Sequence, residues 1–169
     1  MIPFKYFKSC LFDDHAIEAV RSYANFKALV FSLIMVVLLQ ALPLTYEEIF
    51  TTHLSFLKIF IQFFGAIVVM FLFSKLLKSK TSFIKFVYTV STVVFFATII
   101  TAVLAYLSLF LFEFIFNTAV ISNLVSSILP FYIIVLFGFT ADVIADVKKH
   151  SWLIGVVGVG LLYAIYFFL

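Results

Sequence analysis

The chain has 169 residues, of which 66% are hydrophobic and 11% charged, with 11 Lys or Arg against 8 Asp or Glu and a formal net charge of +3. Soluble domains run at roughly 45–50% apolar and about 25% charged, and a mean hydropathy of +1.28 is more apolar surface than a globule of this size can hide. This excludes a DNA-binding domain, a disulfide-stapled secreted module and a sizeable aqueous catalytic domain, and it predicts an all-α, polytopic membrane protein.

Residues 1–27 read as a cytoplasmic amphipathic leader. Phe4, Phe7 and Leu11 form an apolar stripe with Lys5 and Lys8 beside it. Asp13 or Asp14 is placed to cap a helix that runs on to Ala24, with Ile17, Val20 and Ala24 on one side. Such a segment either lies flat among lipid headgroups or packs beneath its own bundle. The single cysteine, Cys10, has no partner for an intramolecular disulfide and reads as a free thiol near the membrane surface. The first long apolar run begins only at Ala28, after several charged residues, which is not the pattern of a cleavable signal peptide.

Residues 28–169 read as a five-helix transmembrane domain. A span needs about 20 mostly apolar residues, and the expected spans cover about 28–44, 54–74, 86–112, 119–140 and 152–169. Strands are the competing reading of Phe-, Val- and Ile-rich runs. In lipid a sheet must close into a barrel, whose strands alternate apolar and polar residues, and these runs are continuously apolar.

Charge sets the orientation. With the leader, the loop after the second span and the loop after the fourth on one side, that side holds 10 of the 11 cations, leaving Lys58 opposite. Basic residues concentrate on the cytoplasmic side, so the expected topology is N-in and C-out. The cluster Lys75, Lys78, Lys80 and Lys85, with Lys5 and Lys8 of the leader, is the candidate contact for anionic lipid or a protein partner. Each such cation near the surface contributes about 1 kcal/mol, although setting topology alone also accounts for the loop lysines.

The expected spans hold few candidates for chemistry. Glu113 and Lys58 fall near span ends, and Gln62 is the deepest amide. A proton relay would need buried ionisable groups. There is no phosphate loop, nucleophile elbow or paired-His motif, and Asp142, Asp146 and His150 read as a solvated helix end. No catalytic residue, metal or cofactor is expected, and the chain reads as a non-enzyme. Small residues mark helix contacts: Ala97, Thr101 and Ala105 in the third span, and Gly155, Gly158, Gly160 and Ala164 in the fifth.

Several stretches together resemble the Yip1-domain family of small five-span membrane proteins. They are the leader Phe12-Asp13-Asp14-His15-Ala16-Ile17 running into Asn25-Phe26-Lys27-Ala28, and the basic loop Lys78-Ser79-Lys80-Thr81-Ser82-Phe83. Pro130-Phe131-Tyr132 and the return from Asp142 through Asp146 to Ser151 complete the likeness. The Asp-Leu-Tyr-Gly and Gly-Tyr-Gly motifs of the eukaryotic trafficking members are absent, so the resemblance is to the bacterial branch. A set of small bacterial membrane proteins of unknown function fits the leader equally well. The resemblance implies a scaffold or membrane-organising role in the bacterial inner (cytoplasmic) membrane. The expected contacts are membrane lipids and a protein partner or second copy within the bilayer, and no nucleic acid. The alternative is a small membrane subunit of a transporter or secretion complex; a third reading is an oligomeric channel with Gln62 and Asn123 on a polar path.

Overall fold

The structure is a computed structural model, and it describes Tyr6, residues 8–41 and 53–112, Ile128, Tyr132, and residues 135–147 and 152–168. The described residues are helical, joined by turns, and contain no strand. We label the helices α1 (Asp14–Ser22), α2 (Phe26–Ala41), α3 (His53–Leu76), α4 (Phe83–Phe112), α5 (Val135–Ala145) and α6 (Trp152–Phe168).

Local chemistry fixes the ends of these helices. Asp13 is the N-cap of α1: it is extended, and its carboxylate accepts from the Ala16 N–H at 3.0 Å. Asn25 does the same for α2, accepting from Ala28 at 2.9 Å, so Tyr23–Asn25 is a break between two helices. At the far end of α3, Lys78 takes a left-handed φ of 66°. The Ser79 N–H then reaches the Ser74 carbonyl at 3.0 Å and the Lys78 N–H reaches that of Lys75 at 2.9 Å. This double closure satisfies carbonyls that a helix end leaves open.

α4 is the central element. It packs along α2 and also meets α1 and α3, while α3 packs along α6. The core runs from Ile17 and Val20 of α1 through Phe86, Val90 and Val94 of α4 to Ile67 and Met70 of α3, Phe137 and Ile144 of α5, and Ile154 of α6. Phe71 stands edge-on to both Phe83 and Phe86, at centroid separations of 5.1 and 5.7 Å, tying α3 to the start of α4.

Among the described residues, one stretch, Phe83–Leu104, is long and apolar enough to cross a membrane. The other apolar helical stretches, Phe26–Met35, Phe63–Leu76 and Val135–Ala145, are shorter. One crossing helix, not the five expected, meets both criteria there, because the described apolar parts of the others fall short of the roughly 20 residues a bilayer requires. Much of the expected fourth span (119–140) lies outside the described residues.

Candidate functional site: a polar junction and an aromatic cleft

Three segments that charge alone assigns to one side meet at a single hydroxyl. Arg21 Nη2, near the end of α1, donates to Thr81 Oγ1 at 3.2 Å, and Thr81 Oγ1 donates to the Ile144 carbonyl of α5 at 2.5 Å. Thr81 is buried, and its hydroxyl fills a carbonyl at the end of α5 that has no intrahelical donor. Its own N–H is held by Ser79 Oγ at 3.2 Å. The loop from Ser79 to Thr81 is therefore pinned inward at its serine and threonine while Lys78 and Lys80 remain exposed.

Lys75 also has a local contact at the end of α3. Its Nζ donates to the Ser79 carbonyl at 3.0 Å and stands 5.3 Å from the centre of the Phe71 ring. It closes the end of α3, because a cation at a helix C-terminus meets both free carbonyls and the negative end of the dipole. Lys75, Lys78, Lys80 and Lys85 are all exposed, as is Lys8 on the amino-terminal segment. Lys5 lies outside the described residues.

The amino-terminal segment packs onto the bundle. Tyr6 stacks on Phe96 with centroids 5.0 Å apart, and its hydroxyl lies 3.4 Å from that of Tyr88. Cys10 is a free thiol, as expected, and is fully buried: its thiol faces the Val93 carbonyl at 3.7 Å, and its own carbonyl accepts the Tyr132 hydroxyl. Burial pushes the Cys10 thiol up to about 11 and raises the Tyr6 phenol well above its ordinary range, the Tyr88 hydrogen bond adding to the latter. Phe12 takes a left-handed φ of 59° and turns its ring edge-on to Phe139 and Tyr132 at 5.3 and 5.9 Å. Within α1, Ala16, Ile17 and Val20 face inward, which is the packed disposition of this helix. Leu11 of the expected apolar stripe is exposed, and Phe4 and Phe7 lie outside the described residues.

Between this segment, α2 and α4 lies a half-open cleft of about 210 Å³. Among the described residues its walls carry the aromatic rings of Tyr6, Phe31, Tyr88, Phe95 and Phe96. Thr92 also lines it; this residue is buried, and its hydroxyl has no hydrogen-bond partner among the described residues.

The small residues divide by helix phase. Ala97 and Thr101 are buried in the face of α4; the side chain of Ala105 lies outside the described residues. A Cβ on Gly155 would stand 3.0 Å from the Gly138 Cα, so α6 crosses α5 backbone to backbone. Gly158 lies under the side chain of Met70. Gly160 and Ala164 are exposed, with nothing within 4 Å of a Cβ built on Gly160. These four small residues of α6 thus form an inward pair and an outward pair. Gly138 was missed from sequence, although a lone glycine in an apolar run was the available signal. The side chains of Lys58 and Gln62, and all of Glu113 and Asn123, lie outside the described residues. Among the described residues no three His, Cys, Asp or Glu side chains gather as metal ligands.

No family model, curated protein or solved structure matches this chain. The likeness to the Yip1-domain family rests on the quoted motifs and their spacing alone.

Proposed function

We propose that this chain is a multi-pass, non-enzymatic integral membrane protein that organises the inner face of its bilayer by holding anionic lipid. One observation carries the membrane reading: the bundle is apolar outside and hydroxyl-bearing inside. Phe31 and Ile34 of α2, Ile61 and Leu72 of α3, Leu104 of α4 and Val156 of α6 are each more than half exposed. Ser32, Ser74, Thr89, Ser91, Thr101 and Thr140 are buried. Water penalises large contiguous apolar surface. Lipid does not, and buried small and hydroxyl residues are what membrane helices use to approach one another.

The five-span, N-in topology draws support from the junction at Thr81, since the leader, the basic loop and the end of α5 must share a side to meet there. Of the expected spans, α4 carries the length: it has 30 residues, with Phe83–Leu104 apolar enough to cross, against the roughly 20 a span needs. The lipid contact is assigned to Lys78, Lys80 and Lys85, which lie together on that side. Membrane extraction and one-sided labelling test the reading. In a Cys10→Ser background, Lys80→Cys should react with an impermeant maleimide from the cytoplasmic side and Glu48→Cys from the other. Release of the protein by alkaline carbonate overturns membrane integration; labelling of both positions from one side overturns the topology. Gln at Lys78, Lys80 and Lys85 should weaken binding to vesicles containing phosphatidylglycerol. Unchanged binding overturns the lipid role alone.

The subunit alternative has its own observation. The outward pair Gly160 and Ala164, four residues apart, is a small-residue face on α6 that is exposed among the described residues. A stoichiometric second polypeptide in native mass spectrometry, lost on Gly160→Leu, would establish that reading.

A further inference from the structure

We propose that the aromatic cleft between the amino-terminal segment, α2 and α4 binds a neutral, lipid-soluble molecule bearing a carbonyl or hydroxyl oxygen on a compact apolar body. Its size sets the first limit. An apolar cavity of about 150 Å³ admits benzene, and this cleft measures about 210 Å³, room for a substituted ring or a short length of chain. Its walls set the second. Among the described residues no charged side chain lines it, so an ionised head would find no partner there, at high cost. The aromatic rings offer faces and edges to a flat or slender apolar body.

The oxygen is called for by unfinished hydrogen bonding at one end. Thr89 and Thr98 of α4 each donate back to the carbonyl four residues earlier, at 2.7 and 2.9 Å. Thr92 does not: it is 6% exposed, and its hydroxyl has no partner among the described residues. Such orphan groups in native proteins call for a partner, and a helical threonine has two χ1 wells between which its hydroxyl can swing. Tyr88 stands four residues earlier, on the same face of α4. Its hydroxyl lies 3.4 Å from that of Tyr6, and either oxygen can be the donor. One phenol proton spans that gap, leaving the other free. With the Thr92 hydroxyl swung to the χ1 well that faces the cleft, it and the tyrosine pair would offer two donors to one acceptor oxygen.

The test uses the purified full chain in amphipol, so that no detergent tail competes, with calorimetry against three probes. 2-Methyl-1,4-naphthoquinone offers a ring with oxygen, 1-octanol a chain with oxygen, and 2-methylnaphthalene the ring alone. One oxygenated probe should saturate a single site. Thr92→Val should weaken it about ten-fold, the worth of one hydrogen bond, and Thr92→Ser should restore it. Tighter binding of the quinone identifies a ring-headed ligand, and tighter binding of octanol a chain alcohol; both support the site. Ala28→Leu, which adds bulk to the wall, should weaken every probe at least ten-fold, and it keeps the question open to test if Thr92→Val fails to fold. The proposal is overturned if neither oxygenated probe saturates, if methylnaphthalene binds as tightly as the quinone, or if neither substitution changes affinity.

Discussion

A methyl group on Gly138 would stand 2.9 Å from the Cα of Gly155, and one on Gly155 would stand 3.0 Å from the Cα of Gly138. The obstacle on each side is backbone, which cannot rotate away, so α5 and α6 would have to part. Overpacking of this kind costs about 1–3 kcal/mol. Gly138→Ala and Gly155→Ala should each lower the thermal midpoint. Gly160→Ala, on the open side of the same helix, should leave it unchanged or raise it slightly, since alanine is the better helix former by up to about 1 kcal/mol. Equal effects at positions 155 and 160 would contradict the crossing.

The junction at Thr81 predicts a coupling. Thr81→Val keeps the shape but leaves the Ile144 carbonyl and the Arg21 guanidinium short of a partner, a loss of about 1–3 kcal/mol. Thr81→Ser should recover most of it. A double-mutant cycle of Thr81→Val with Arg21→Met, read by thermal unfolding, should give a coupling of at least about 0.5 kcal/mol. Additive effects would mean that Arg21 does not act through this hydroxyl.

Cys10 predicts a pH dependence. Its thiol is raised from 9.0 to about 11 by burial, so the folded chain holds that proton more tightly than the unfolded chain does. The contribution is present in full below pH 9 and is lost as pH rises from 9 towards 11. Its ceiling is about 3 kcal/mol, at 1.36 kcal/mol per pKa unit. The wild type should lose more stability than Cys10→Ala across that window, and at pH 8 the thiol should react with a disulfide reagent far more slowly than in the unfolded chain.

Lys78 separates two roles in one residue. A lysine held at φ 66° carries a Cβ penalty that glycine lacks, so Lys78→Gly should stabilise the fold by about 1 kcal/mol while removing a cation from the lipid face. The expected result is a higher thermal midpoint together with weaker binding to anionic vesicles. A fall in midpoint would contradict the left-handed turn.

The caps at Asp13 and Asn25 were open to reading because each is a short-range event within three residues of chain. The convergence at Thr81 was not, because it joins Arg21, Thr81 and Ile144, 60 and 63 residues apart in the chain. Nor was the division among Gly155, Gly158, Gly160 and Ala164. At about 100° per residue, Gly160 falls about 140° around the helix from Gly155, so a run of small residues does not amount to one face. The burial of Cys10 was equally hidden. It depends on Val93 and Tyr132, 83 and 122 residues away in the chain, and no local pattern carries that distance.

The same separation bears on how the molecule is made. Tyr6, Cys10 and Phe12 come early from the ribosome, yet their places are built by Tyr88, Val93 and Tyr132. This stretch must therefore wait for these contacts until Tyr132 has been synthesised, and its docking follows that of α4. Synthesis stopped short of Tyr132 should leave Cys10 open to alkylation, and elongation past that point should bring its protection.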